Sequence, residues 1–138
     1  KHAHHLFDID KPGKDSYRHR EAGASEVLIT SDQRWVLMHE LRDEAEPSLH
    51  EQLLRFSPCD LVLVEGYKHA AIPKLEVHRP GLGKPMLHPD DPNIVAVATD
   101  AVIETRLPLL DLNRPDDIVG FIIDHLDRVH ETRIAAVR

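Results

Sequence analysis

Cysteine occurs once in 138 residues, at Cys59, which excludes an internal disulfide and any metal site built from cysteines alone. That usage suits a reducing compartment, and a cytoplasmic location is expected. No apolar run approaches the ~18 residues of a membrane-spanning helix, and no signal-peptide pattern opens the chain. Basic charge is short as well: 17 Lys+Arg stand against 24 Asp+Glu, a formal net charge of −7. A non-specific grip on nucleic acid or anionic lipid needs net basic surface, so neither nucleic acid nor membrane is expected as a partner. Repeats and low-complexity runs are missing, as is any Ser/His/Asp or Cys/His set at motif spacing. The remaining composition is globular, 41% apolar and 30% charged, and the length suits a single domain over residues 1–138.

Three short β-branched runs read as buried strands: Glu26–Thr30 (EVLIT), 60–64 (DLVLV) and 94–98 (IVAVA). Near-continuous apolar runs are the habit of parallel strands covered on both faces. Residues 33–41 (QRWVLMHEL) predict a strand beside the first, and 74–79 (KLEVHR) alternate as a half-exposed strand does. Helices are expected at 14–22, opened by Pro12 and stopped by Gly23, and at 48–56, where Ser48 and Glu51 form a capping box. A third helix is expected over 116–131, with Ile118, Phe121, Ile122, His125, Leu126 and Val129 as its apolar stripe. Residues 80–93, with four prolines and two glycines, read as an irregular surface loop. Strands alternating with helices indicate an α/β fold with a mainly parallel sheet flanked by helices.

Three stretches can carry chemistry. The opening KHAHHLFDIDKPGKD sets His2, His4 and His5 beside acids at 8, 10 and 15. His2 and His4 share one face of an extended chain, which suits a divalent metal; a solvated terminus or an affinity-tag remnant is the plainer reading. Further along it, Gly13 permits close backbone approach, Lys11 and Lys14 bring positive charge, and Asp8 or Asp10 can hold Mg²⁺ through water. DLVLVEGYKH (60–69) ends an apolar strand in Glu65 and Gly66, at the carboxyl edge where α/β sheets bind ligands. The acid suits a Walker-B-like role, with the Gly66 N–H open to phosphate; an ordinary strand exit accounts for the same letters. Asp100 reads as an acceptor for a purine edge or, more simply, as a turn or N-cap residue. Trp35 reads as core or interface, Cys59 as a small buried side chain, and Arg18 and Arg20 as a solvated helix face. His39, His78 and His125 read as packed or surface residues rather than ligands.

Taken together, KHAHH-x-FDIDKPGKDSYRHREAGA, SDQRW, DLVLVEGYKH and VATD resemble the molybdopterin-guanine dinucleotide biosynthesis adaptor family, MobB, over about residues 1–126. The resemblance implies a P-loop NTPase-like three-layer fold, GTP with Mg²⁺ as ligand, and a homodimer. It also implies partnership with the guanylyltransferase that joins GMP to molybdopterin in molybdenum-cofactor assembly. By position it assigns nucleotide contacts to Asp10, Lys11, Pro12 and Gly13, a switch-like loop, and to Gly66, Tyr67, Lys68 and His69 beside the γ-phosphate. Asp100 falls at the base-recognition position. Glu65 falls at the Walker-B position and, with Asp10, is expected to place Mg²⁺, while Lys11 and Lys68 offset phosphate charge.

One motif of the family is not found in these residues, the Gly-x-x-Gly-x-Gly-Lys-Thr/Ser phosphate loop. Gly81-x-Gly83-Lys84 is too short and runs into Pro85 where a helix should begin. A first strand, phosphate loop and first helix, on the order of 30 residues, are expected to precede Lys1. Without them the chain is expected to hold GTP weakly or not at all and to be at most a weak GTPase. Two other classes remain open: a metal-binding chaperone module using His2, His4 and His5, and a non-catalytic dimerisation or docking module built on the strands around Trp35.

Overall fold

The computed structural model describes residues 1–3 and 7–136; His4 and His5, named above as metal ligands, lie outside the described residues. The chain forms two compact units, Lys1–Tyr67 and Lys68–Arg138.

In the first unit, helix α1 (Asp15–Glu21) ends at Gly23, whose φ of +104° is open to glycine at little cost. Strands β1 (Glu26–Thr30) and β2 (Trp35–His39) follow. Too few residues join these strands for a crossover, so they pair antiparallel, with Glu26 opposite His39, Leu28 opposite Leu37 and Thr30 opposite Trp35. Ser31 closes the connection, its hydroxyl accepting from the Gln33 and Arg34 N–H groups. The expected buried parallel strand at Glu26–Thr30 is thus corrected to one arm of a hairpin. Helix α1 packs against β1, and Met38 is buried. The other hairpin face carries Leu28, Trp35 and Leu37, exposed by 60%, 71% and 47%. At its end the His39 ring lies 3.0 Å from both Glu26 and Glu44, and these carboxylates, Glu26 foremost, raise its pKa. Helix α2 (Leu49–Leu53) keeps the Ser48/Glu51 capping box but stops before Phe56, which is exposed.

Residues 60–64 form no strand. Their apolar letters register a need for burial, but a strand also needs a neighbour to take its N–H and C=O groups, and none pairs with them among the described residues. Leu61 and Leu63 are exposed as a result, and so is Cys59, against the expectation that it is buried.

The second unit is a parallel sheet in the order β3 (Lys74–His78), β4 (Ile94–Thr99), β5 (Leu109–Asp111). Strand β4 lies in the middle, and Ala96, Val97 and Ala98 are wholly inaccessible. Helix α3 (Pro115–Ala136) packs against β5, with Pro115 opening it and Asp116 and Asp117 facing its positive end. His125 stacks on Phe121, and its Nε2 is buried without a hydrogen-bond partner. The chain is α/β with a parallel sheet and a packed helix, as its letters indicate. No helix among the described residues is long and apolar enough to cross a membrane.

Strand β3 faces the opposite way from a simple apolar-in pattern: Glu76 and His78 are buried, and Val77 is 63% exposed. The cause is the proline-rich stretch after it. Glu76 accepts the Leu87 and His88 backbone N–H groups at 2.6 and 2.9 Å, and the His88 ring Nδ1 lies 3.1 Å away. One buried carboxylate therefore anchors the 80–93 segment, which carries a single short 3₁₀ turn at Pro80–Leu82.

Candidate functional site

In the first unit, the residues assigned to phosphate and Mg²⁺ fall into two groups. The first is organised by Arg20. Ser16 and Arg20 lie one turn apart on α1 and both reach Asp10, the Ser16 hydroxyl donating at 2.8 Å and the Arg20 Nε at 3.3 Å. The same guanidinium donates to Asp8 and to Glu40, each at 3.0 Å. Hydrogen bonding to Glu40, then to Asp8, raises the Arg20 pKa above its ordinary value. Asp8 is held below the usual carboxylate range by the Asp10 N–H first and then by Arg20. The Arg20 side chain is only 15% exposed and that of Asp10 3%, so the solvated-face expectation for Arg20 is corrected: it is the hub that fixes the 8–10 segment. The signal was present as the i, i+4 pair Ser16/Arg20 following two aspartates.

Beyond that hub the loop is open. Lys11, Pro12, Gly13 and Lys14 are exposed, and the Lys14 N–H closes a turn on the Lys11 carbonyl at 3.1 Å. Gly13 has φ +88° with empty space around its Cβ position, so backbone conformation rather than crowding selects glycine there.

The second group is Glu65, Gly66 and Tyr67. The Glu65 carboxylate is 70% exposed and accepts from the Lys1 ammonium at 2.9 Å, which holds its pKa low. Its carbonyl accepts the His2 N–H at 2.8 Å. A Cβ on Gly66 would lie 2.9 Å from that of His2, so this glycine admits close passage of the His2 backbone. The His2 ring packs 5.2 Å from that of Tyr67 and its Nε2 lies 3.1 Å from Glu46.

Fit to Mg²⁺ differs between the two acids. Asp10 already receives the Lys11 N–H, Ser16 and Arg20 on its two oxygens, whereas Glu65 presents an ionised, exposed carboxylate with one exchangeable lysine partner. No cluster of three or more His, Cys, Asp or Glu among the described residues is arranged to hold a metal ion. Magnesium bound with a nucleotide takes only one or two carboxylates, the phosphates and water filling its shell, and Glu65 fits that demand.

In the second unit, the register places His78, Thr99 and Asp111 side by side at the carboxyl ends of the three strands. Asp100 follows, its carboxylate 2.8 Å from the Arg79 guanidinium. Lys68 and His69 sit at the other end of β3, lining a cavity of about 250 Å³ with Lys74, Leu87, Asp90, Asp91 and Asn93. Sequence reasoning missed Glu76, His88 and the Lys74–Asp91 pair that shape this region. An acid in mid-strand between two apolar residues is the available signal for the first, because a buried charge must find partners.

Comparison with known proteins completes the picture. Residues 1–100 match the family model described as molybdopterin guanine dinucleotide synthesis protein B. The molybdopterin-guanine dinucleotide biosynthesis adapter protein of Escherichia coli strain K12 is 41% identical over 131 residues, 93% of this chain and 75% of that protein. Its namesake in Haemophilus influenzae is 41% identical over 133 residues, covering 96% and 74% of the two chains. A family-model match over residues 1–100 and 41% identity over nearly the whole length leave one conclusion: the chain belongs to the MobB family.

Proposed function

We propose that this chain serves molybdopterin-guanine dinucleotide biosynthesis as an adaptor that contributes phosphate and Mg²⁺ contacts to a GTP site and assists the guanylyltransferase in the cytoplasm. The identity to two adapter proteins across nearly all of its length carries this reading. In it, the exposed turn Lys11–Pro12–Gly13 and the glycine at 66 meet phosphate oxygens, and Lys11, Lys68 and His69 offset their charge. Glu65 supplies a carboxylate to Mg²⁺. Asp10 acts on the ion only by exchanging its Arg20 contact. Asp100 accepts from the base by giving up Arg79. In protein expressed from the natural gene, Glu65→Ala is expected to weaken Mg²⁺-dependent GTP binding about tenfold, the loss of one charge-assisted contact. Calorimetry with and without Mg²⁺ checks this, and equal affinities in the two conditions remove the role.

The homodimer has support of its own in the hairpin face of Leu28, Trp35 and Leu37, apolar and uncovered within the unit. In this reading a second copy covers it. Trp35→Asp is expected to turn a sedimenting dimer into monomer without changing the far-UV spectrum, and an unaltered sedimentation profile contradicts the assignment.

A further inference from the structure

Segment 40–46 follows strand β2 and is tied at both ends to the candidate site of the first unit. At one end Glu40 accepts from Arg20 at 3.0 Å, and at the other Glu46 lies 3.1 Å from the His2 Nε2. Between them Arg42 holds φ at +48°, a left-handed conformation that disfavours any residue with a side chain. Its guanidinium donates to the Ala24 carbonyl at 3.1 Å, and the Glu44 N–H closes a turn on the Leu41 carbonyl at 2.6 Å. Backbone preference alone would relax this turn, so the contacts around it must keep it closed. His39, the last residue of β2, makes the central one. Its Nδ1 lies 3.0 Å from Glu26 across the hairpin, and its Nε2 lies 3.0 Å from Glu44 on the turn. A neutral imidazole has one N–H, and its second nitrogen presents a lone pair that repels a carboxylate. Both contacts together are therefore made only by the imidazolium.

We infer that His39 is a proton-operated latch: the doubly protonated ring holds segment 40–46 to the hairpin with Glu40 and Glu46 in place on Arg20 and His2, and loss of one proton frees Glu44 and loosens both links. Of the two carboxylates, Glu26 keeps its partner, because the β1–β2 ladder fixes it opposite His39. Glu44 sits on a strained turn and is the one to leave. The other charged groups nearby are committed elsewhere or face solvent. Arg20 on α1 is turned to Glu40, Asp8 and Asp10, Arg18 to Asp15, and Arg42 to the Ala24 carbonyl. His19, Glu21 and Asp43 are exposed. The carboxylates at His39, Glu26 foremost, raise its pKa, so the latch is closed through the ordinary histidine range. The stability it contributes is fully present below the unfolded-state value and is lost as pH climbs through the elevated folded one. Opening therefore comes on the alkaline side. Nothing in this device requires nucleotide, Mg²⁺ or a second copy of the chain, so it stands apart from the function proposed above.

The test is an NMR titration of the isotope-labelled chain, without ligand, from mildly acidic to alkaline pH. The His39 ring signals are expected to titrate above the ordinary histidine value. The amides of residues 42–46 and the Arg20 Nε–H are expected to move with the same midpoint. Exchange at the Glu44 amide, corrected for its intrinsic pH dependence, is expected to quicken about tenfold above that midpoint as the turn opens. His39→Gln is expected to flatten the response of residues 42–46. Glu44→Gln is expected to lower the His39 midpoint and to uncouple the turn from it, because an amide can accept from the imidazolium or donate to the neutral ring. The His2 ring, followed at its own signals, reports titration at the Glu46 end separately. A His39 midpoint at or below the ordinary value overturns the inference, as does a 42–46 response that tracks His2 or survives in His39→Gln. So does a Glu44→Gln variant whose turn still follows His39, or an Arg20 signal that stays still while His39 titrates.

Discussion

Glu76→Ala is expected to be among the most destabilising single changes in the second unit, by about 2–5 kcal/mol, because it strips the acceptor from two backbone N–H groups and a histidine at once. The side chain of Glu76 is 4% exposed and that of His88 10%, so water cannot simply take the vacant place. Against a total stability of roughly 5–15 kcal/mol for an ordinary domain, that loss is large. The effect arises in the loop rather than in the strand. Leu87 and His88 lie mid-way through a proline-rich segment with little repetitive structure, and their N–H groups have no helix or ladder to join. Glu76→Gln is expected to fall between parent and alanine variant, since an amide keeps one acceptor oxygen but presents a donor to another donor. Urea unfolding monitored by circular dichroism measures both. An alanine variant within about 0.5 kcal/mol of the parent, the range of an ordinary surface change, contradicts the anchoring role.

The same contrast between local and non-local interactions explains which features the sequence disclosed. Ser48 and Glu51 lie three residues apart and satisfy each other, so their capping box was legible and is found as expected. Strand β4 was legible because its apolar run is buried on both faces whatever its neighbours are. The hairpin β1–β2 was legible as two adjacent strands, but its direction followed from the short connection and not from the apolar letters. Residues 60–64 carry letters as strand-like as those of β4, yet pairing is a property of the partner, and letters alone do not supply one. For β3 the alternation was right but did not say which face is buried; Glu76 is buried because Leu87 and His88 of the 80–93 segment bond to it, a partnership the alternation does not reveal. Of the candidate site, Gly13 and Gly66 were marked for close approach to phosphate, whereas the feature the structure adds at both is a positive φ, which the letters did not announce. Asp10 was marked as an acid of consequence, but its engagement with Arg20 depends on α1 placing Ser16 and Arg20 on one face, a step that composition does not reveal.

Gly66→Ala separates two reasons for a glycine that the sequence cannot tell apart. Any residue with a Cβ at φ +89° carries about 1–2 kcal/mol of backbone strain, and Gly13→Ala at φ +88° carries the same. At Gly13 nothing lies within 4 Å of the new atom, whereas at Gly66 it meets the His2 Cβ at 2.9 Å and the His2 carbonyl oxygen at 3.3 Å. Both of those atoms belong to or adjoin the backbone, so the Lys1–His2 segment must move as a whole. Its hydrogen bond to the Glu65 carbonyl, its contact with Tyr67 and the Lys1–Glu65 ion pair then weaken together. Amide exchange at His2 is expected to quicken about ten- to a hundredfold, following a local opening eased by one to two factors of ten. The Glu65 carboxyl is expected to titrate higher than in the parent, because the lysine that holds its pKa low has withdrawn. Stability linked to that depressed pKa is present above the unfolded-state value and vanishes as pH falls through the folded one, so the variant loses it at neutral pH. Gly13→Ala is expected to leave both readouts at Glu65 and His2 unchanged. If the two alanine variants behave alike, the close passage of His2 contributes nothing, and Gly66 is present for its backbone angle alone. If they differ as expected, the close passage of His2 over Gly66 is what keeps Lys1 in place against the Glu65 carboxylate.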